Sequence, residues 1–138
     1  MFMRSLDRYL AEGRQLTREA LDGGGPVAAI RRWLETVAEM ATEPPYRGCF
    51  AVNCAVELAP HDSEVRQCLE THDRQVRRLF SDLVRHGQEA GALRDGDPSL
   101  YARQLSVFIN GLQVEGKKGL PRAEAKRLVD LFMQTLTA

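Results

Sequence analysis

The chain has 138 residues, 43% hydrophobic and 28% charged, a balance typical of one globular domain with a sizeable core. Its 19 basic and 19 acidic side chains cancel, which disfavours a free-standing nucleic-acid-binding protein, since such proteins carry a basic excess. No apolar run approaches the roughly 20 residues that span a bilayer, and the N-terminus lacks a signal peptide's apolar region. We therefore expect a cytoplasmic protein without a membrane partner.

The spacing of the apolar residues predicts helices along the whole chain. They recur at intervals of three and four rather than two, so the fold class is predicted to be all-α, a bundle of about six helices without strands. Glycine and proline clusters separate these helices. The first covers about 2–21, the third covers about 48–59, and the others begin near 26, 62, 97 and 121.

Individual residues fix several helix ends. Pro26 suits a first helical turn, because its missing N–H would have no partner there. Asp62 is a predicted N-cap of the fourth helix, and Asp97 followed by Pro98 is a predicted start of the fifth. The third helix is apolar nearly all round, which predicts a central position in the fold.

Two polar side chains interrupt the apolar third helix. Asn53 and Glu57 are four residues apart and therefore share a helix face. A buried polar group without a partner costs roughly 1–3 kcal/mol, so this pair must either bond to neighbouring protein groups or face a cavity. Both interpretations stay open from the residues alone, and His72 in the fourth helix is a third polar residue among apolar neighbours.

Cysteine and histidine patterns give no strong sign of chemistry. The three cysteines, Cys49, Cys54 and Cys68, are odd in number and not arranged as C-x-x-C, which disfavours a disulfide framework or a zinc site. Cys49 lies at a predicted helix N-terminus, where a thiol pKa is lowered, so it is the best candidate for a redox-sensing residue. A small buried apolar residue is the other interpretation. The histidines show no metal-ligand spacing, so neither a metal nor another cofactor is expected.

Two motifs resemble the regulatory half of TetR/AcrR-type transcriptional regulators. The segment GCFAVNCAVELAPHDSEVR at 48–66 has the pattern GC-x3-N-x3-E, and EAGALRDGDPS at 89–99 has AG-x-L-x3-DP. The resemblance covers essentially the whole chain, and residues 1–21 resemble the linker helix that follows the DNA-binding domain in that family. It implies that 1–138 form a single effector-binding and dimerisation domain, from which the DNA-binding helix-turn-helix is absent.

The resemblance also implies two sets of functional residues. It places the third helix against an effector pocket between the second to fifth helices, largely apolar, with Asn53 or Glu57 as polar anchor. It implies a homodimer in which the last two helices pair with their copies, so that DNA is contacted only through a helix-turn-helix outside this chain. The predicted ligand-binding residues are Trp33, Val37, Phe50, Asn53, Cys54, Glu57, Val76 and Phe80, and the predicted interface residues are Leu105, Phe108, Ile109, Leu112, Leu128, Leu131, Phe132 and Leu136.

Catalytic signatures are weak. The sequence has no Gly-rich phosphate loop, no G-x-S-x-G and no H-E-x-x-H, so an enzyme is not expected. The function favoured by the sequence is the ligand-sensing and dimerisation module of a TetR-type repressor that binds a small, largely apolar effector. The alternative is a stand-alone helical protein-interaction module or a small all-α enzyme.

Overall fold

The computed structural model describes residues 2–46 and 48–138. Where the apolar residues recur every three or four positions, the chain forms α-helices, six in the described residues. This confirms the predicted all-α fold class. Within the described ranges there is no strand; a single β-bridge joins Leu93 to Thr137. The helices are α1 (Phe2–Ala20), α2 (Pro26–Ala41), α3 (Phe50–Glu57), α4 (Ser63–Glu89), α5 (Pro98–Lys117) and α6 (Arg122–Leu136).

Side-chain caps fix two of the helix starts, as the sequence predicted. The Asp62 carboxylate accepts hydrogen bonds from the backbone N–H groups of Glu64 and Val65 at the start of α4. At the start of α5, the Asp97 carboxylate accepts one from the N–H of Ser99. Each cap satisfies donors that have no partner inside the helix, and this typically stabilises a helix by about 1 kcal/mol.

The main hydrophobic cluster lies between α2, α4, α5 and α6. Ile30, Leu34, Phe80 and Leu105 are fully buried in it. Burying one such side chain contributes roughly 1.5–3 kcal/mol, so these residues hold the four helices together. Here α5 approaches α2 very closely, because Gly116 lies against the backbone of Ala41 and leaves no room for a Cβ atom.

A second hydrophobic cluster holds α1, α3 and the N-terminal half of α4 together. It comprises Leu6 and Leu10 from α1, Cys54 from α3, and Val65 and Leu69 from α4. The cluster is smaller than the first, and its α1 and α3 members pack on the N-terminal half of α4. None of the helices in the described ranges is both long enough and apolar enough to cross a membrane.

The predicted central position of the third helix is wrong. In α3 only Cys54 is buried, whereas Val56 is 68% exposed and Leu58, just after the helix, is 37% exposed. The physical reason is the length of α3, which has eight residues instead of the predicted twelve. Two turns can cover only a small area of α1, α4 and α5, so most of the apolar surface of α3 stays at the edge of the fold.

The predicted interface residues divide into two groups. Leu105, Leu112, Phe132 and Leu136 are covered by their own chain, so the expectation that they supply partner surface is corrected. They form the apolar stripes that α5 and α6 turn towards the main cluster, and a stripe in the sequence does not distinguish a core from an interface. The remaining four are more accessible: Phe108, Ile109 and Leu128 are half-buried and Leu131 is 58% exposed.

Candidate functional site

A cavity of about 290 Å³, here called the central cavity, lies where the two hydrophobic clusters fail to merge. Leu10 and Leu69 of the second cluster form part of its wall, and Val37 and Phe80 of the main cluster form another part. Helices α1 to α5 all contribute residues to the wall. A wider depression between α1 and α4, near His86, is more open and has both charged and apolar side chains in its lining.

The greater part of the cavity wall is apolar. This surface suits a ligand that has a hydrocarbon or aromatic body, as is usual for small-molecule sites. The apolar side chains are Leu10, Leu16, Trp33, Val37, Met40, Ala51, Val52, Ala55, Leu69, Val76, Phe80, Val107 and Ile109. Gly13 of α1 also lines the cavity, and no atom lies within 4 Å of the position that a Cβ would take there.

One polar atom in this apolar wall has no partner. The indole nitrogen of Trp33 is buried, and within the described residues it makes no hydrogen bond. A buried donor without an acceptor typically costs about 1–3 kcal/mol. The side chain of Trp33 is also part of the cavity wall.

Charged and amide side chains from α4 and α5 form a polar part of the wall. They include Asp73 and Arg77 from α4 and Arg103, Asn110 and Gln113 from α5. The protein packed around Asp73 raises its carboxyl pKa, although the nearby guanidinium groups of Arg77 and Arg103 act in the opposite direction. Neither guanidinium group forms an ion pair within 4 Å in the part of the chain that the structure describes.

A histidine on the cavity wall links α4 to α1. The Arg14 guanidinium lies 3.0 Å from Nδ1 of His72, and because a guanidinium can only donate, Nδ1 is the acceptor and the ring proton is on Nε2. Burial lowers the pKa of His72 to about 4, and the positive charge of Arg14 lowers it further in the same direction. His72 is therefore neutral at physiological pH.

Cys49 is the N-cap residue of α3 and lies on the cavity wall. The phenol of Tyr9 donates a hydrogen bond to its sulfur at 3.2 Å, and the backbone N–H of Phe50 donates to the phenol oxygen at 3.3 Å. Burial raises the phenol pKa of Tyr9 above its usual value, and the bond to Cys49 adds to this effect. Tyr9 is thus a neutral hydrogen-bond donor that ties α1 to the start of α3.

The other two cysteines are less available for chemistry. Burial raises the thiol pKa of Cys54, and burial together with a hydrogen bond to Asp7 raises that of Cys68 to about 11. All three thiols are free. Within residues 2–46 and 48–138, no three histidine, cysteine or acidic side chains come together as metal ligands.

Four of the eight predicted ligand-binding residues lie on the wall of the central cavity: Trp33, Val37, Val76 and Phe80. They come from α2 and α4, the two helices that cross the middle of the bundle. Their role in binding a ligand stays a prediction. The contribution of α3 to the same wall comes instead from Ala51, Val52 and Ala55.

The other four predicted residues share the face of α3 opposite Ala51, Val52 and Ala55 and do not line the central cavity, so their expected place on the wall is corrected. Phe50 packs edge-to-face on Phe2 and Tyr9, and Cys54 belongs to the second hydrophobic cluster. The Asn53 side-chain oxygen accepts a hydrogen bond from Nζ of Lys117 at 3.1 Å, and Glu57 is exposed. Because α3 has apolar residues on nearly all of its sides, the spacing of these residues does not indicate which face turns towards the core.

The polar wall residues of α5 escaped the sequence analysis, although a signal was present. Arg103, Ser106, Asn110 and Gln113 recur at intervals of three and four along one side of a largely apolar helix. That spacing places them on one face. Charged residues on helices are usually solvated, so the sequence alone does not single out Asp73, Arg77 and Arg103.

The comparisons with known proteins agree with this architecture. Residues 26–129 match the family described as "Tetracyclin repressor-like, C-terminal domain". A relative from Bacillus subtilis (strain 168), named uncharacterized HTH-type transcriptional regulator YezE, is 27% identical over 110 residues. The match includes 77% of this chain but only 57% of that relative, so the chain spans little more than half of its length.

Solved structures of transcriptional regulators share the fold. Escherichia coli NemR in its reduced form superimposes with a TM-score of 0.82 at 20% identity, covering 96% of this chain and 70% of NemR. TetR family regulator CifR, as a cysteine mutant bound to operator DNA, gives 0.81 at 24% identity, with 96% and 71% covered. A putative TetR regulator from Rhodococcus sp. RHA1 gives 0.75 at 28% identity, with 99% and 74% covered. The chain belongs to the family of tetracycline-repressor-like C-terminal domains.

Proposed function

We propose that residues 1–138 act as a single effector-binding and dimerisation domain of a TetR-type transcriptional regulator. The observation that carries this proposal is the central cavity, which is lined by residues of helices α1 to α5 and has a mostly apolar wall with several polar groups. Such a wall binds small molecules by burying their apolar surface, while the polar groups fix their orientation. The relatives are named as transcriptional regulators, which supports a sensor rather than an enzyme.

The position of α1 supports a route from the effector to DNA. Tyr9, Gly13, Leu16 and Thr17 of this helix line the cavity, so a ligand would touch the element that resembles the family's linker to the DNA-binding domain. An effector that binds one position of α1 better than another shifts the population towards it. Contact with operator DNA would then pass through a helix-turn-helix preceding α1.

A screen of small fragments, monitored by the NMR signal of the Trp33 indole N–H, tests whether the central cavity binds ligands. The chain has one tryptophan, so a nitrogen–proton NMR spectrum contains a single indole N–H signal, and it reports from the cavity wall. We expect small aromatic fragments to shift this signal and to raise the thermal midpoint of unfolding, since a ligand that binds only the folded state stabilises it.

The variant Gly13→Leu separates cavity binding from surface binding. Its side chain would project into free space at the cavity, so we expect a folded protein in which fragments no longer bind. Gly111→Leu on α5, a position that is also open but not on the cavity wall, is the matched control. Fragments that bind Gly13→Leu as well as the unmodified chain would contradict the proposed function.

A further inference from the structure

The polar groups of the central cavity restrict the chemical class of its ligand. Given the proposed function, we infer that the effector is a compact amphipathic molecule with an apolar body and an anionic head that accepts hydrogen bonds, such as a carboxylate. The cavity volume of about 290 Å³ is near the lower limit of roughly 300 Å³ for ligand pockets, which favours one or two rings over a large molecule.

The Trp33 indole favours a ligand that has a hydrogen-bond acceptor. An indole nitrogen can donate a hydrogen bond but cannot accept one. Trp33 is part of the cavity wall, and its nitrogen is buried without a partner in the described residues, so a ligand group that reaches this nitrogen has to be an acceptor. An amine or ammonium head would leave this donor unsatisfied and would bring a second donor beside it.

The charges on the wall favour a negative head. Two guanidinium groups, Arg77 and Arg103, share the neighbourhood of one carboxylate, Asp73, which leaves one positive charge in excess. The other acidic wall residue, Glu12, is paired with Arg8 at 3.1 Å. His72 is neutral and so does not alter this balance at physiological pH.

The arginine side chains fit a carboxylate in shape as well as in charge. A guanidinium group donates two parallel hydrogen bonds to the two oxygens of one carboxylate, and such charge-assisted bonds are stronger than those between neutral groups. Arg77 is half-buried, which reduces the screening of its charge by water. The side-chain amides of Asn110 and Gln113 line the same cavity and can donate further bonds.

Three probes with one apolar body and different heads test this inference: naphthoate, naphthamide and the naphthylmethylammonium ion. Affinities are measured by isothermal titration calorimetry, and the Trp33 indole N–H signal is followed by NMR. We expect naphthoate to bind at least tenfold more tightly than the ammonium ion, with naphthamide between them. Both naphthoate and naphthamide should move the indole proton downfield, because each offers an oxygen acceptor.

Variants assign the effect to the proposed groups. Trp33→Phe keeps an aromatic ring but removes the N–H, so naphthoate and naphthamide should both bind about tenfold more weakly. Arg77→Gln combined with Arg103→Gln should weaken naphthoate about tenfold while changing naphthamide less than twofold. Arg78→Gln removes an exposed guanidinium that neighbours Arg77 in sequence but is not on the wall, and it should leave all three affinities unchanged.

Several results would overturn the inference. Equal binding of all three probes, or tighter binding of the ammonium ion, would show that the head group is not selected, although the cavity would still be a ligand site. Unchanged naphthoate affinity in Trp33→Phe or in the double arginine variant would exclude the proposed contacts. If none of the probes binds at millimolar concentration, the effector class is wrong, and the Gly13→Leu fragment experiment decides the proposed function independently.

Discussion

His72 connects the cavity to the stability of the fold, since its ring is held between α1 and α4 in the neutral form. Its Nδ1 accepts the hydrogen bond from Arg14, and a proton on that nitrogen would remove the acceptor and place two positive groups in contact. The folded pKa of about 4 lies below the value of 6.5 for an unperturbed histidine. Protonation of this one residue therefore opposes folding.

We predict that His72 makes the protein less stable as the pH falls from about 6.5 to about 4. In this window the unfolded chain binds a proton on His72 that the folded chain does not bind, so the free energy of unfolding decreases with falling pH. The loss is on the order of 1–3 kcal/mol at about 1.4 kcal/mol per pKa unit, and it levels off below the folded pKa. His72→Gln should remove this part of the pH dependence.

Urea denaturation between pH 4 and 8 measures the effect. Glutamine can still accept a hydrogen bond from Arg14, so the variant isolates the titration from the loss of the contact. His61→Gln is the matched control, because it replaces an exposed histidine in the turn before α4 that does not contact Arg14. A profile that stays the same in His72→Gln would mean that other groups cause the acid sensitivity.

At the scale of elements, the crossing of α2 and α5 depends on Gly116. We predict that Gly116→Ala lowers the free energy of unfolding by about 3 kcal/mol, since a methyl group there would overlap the backbone carbonyl of Ala41. Backbone atoms cannot move aside as a flexible side chain can. The two helices would have to separate and would loosen the main cluster between them.

Gly111→Ala provides the comparison within the same helix. No atom lies within 4 Å of its added methyl group, and alanine favours a helix over glycine by up to about 1 kcal/mol. Denaturant titrations at one protein concentration should therefore show shifts of opposite sign for the two variants. Equal shifts would indicate that helix propensity, rather than the close approach at Ala41, decides the outcome.

The elements show what the sequence could and could not predict. Helices α2, α4 and α5 were predicted closely, because a proline or an aspartate cap fixes each start and a clear apolar stripe follows. For α3 the prediction was wrong in length and position, since an almost uniformly apolar segment has no stripe to orient it. Half of the predicted ligand-binding residues consequently lie on the face of α3 that is turned away from the cavity.

The polar part of the cavity was not predictable for a different reason. A sequence shows that Arg77 and Arg103 are charged, but only the packing of α4 on α5 brings them to the same wall. The unpartnered state of the Trp33 N–H is likewise a property of the assembled fold. Periodicity indicates which residues share a face of one helix, whereas a binding site depends on how faces of several helices meet.

At the scale of the whole molecule, α5 and α6 have an apolar surface that the chain itself leaves uncovered. Leu131 is 58% exposed on α6, Leu128 next to it is half-buried, and Phe108 stacks on Phe132 with ring centroids 4.5 Å apart. We propose that these helices pair with their copies in a homodimer. An interface of this obligate kind buries on the order of 2,000 Å² or more.

We predict that Leu131→Glu weakens the dimer at least tenfold without unfolding the protomer, because the exposed side chain supports no core but a carboxylate there must be desolvated on association. Sedimentation velocity at micromolar concentration measures the mass, and circular dichroism confirms that the helices remain. Lys126→Glu also places a carboxylate on α6, five residues earlier and on another face, and should leave the dimer intact. Phe132→Glu should instead unfold the protomer, since Phe132 is only 8% exposed. A monomeric mass for the unmodified chain, or a dimer that Leu131→Glu does not affect, would contradict pairing through this surface.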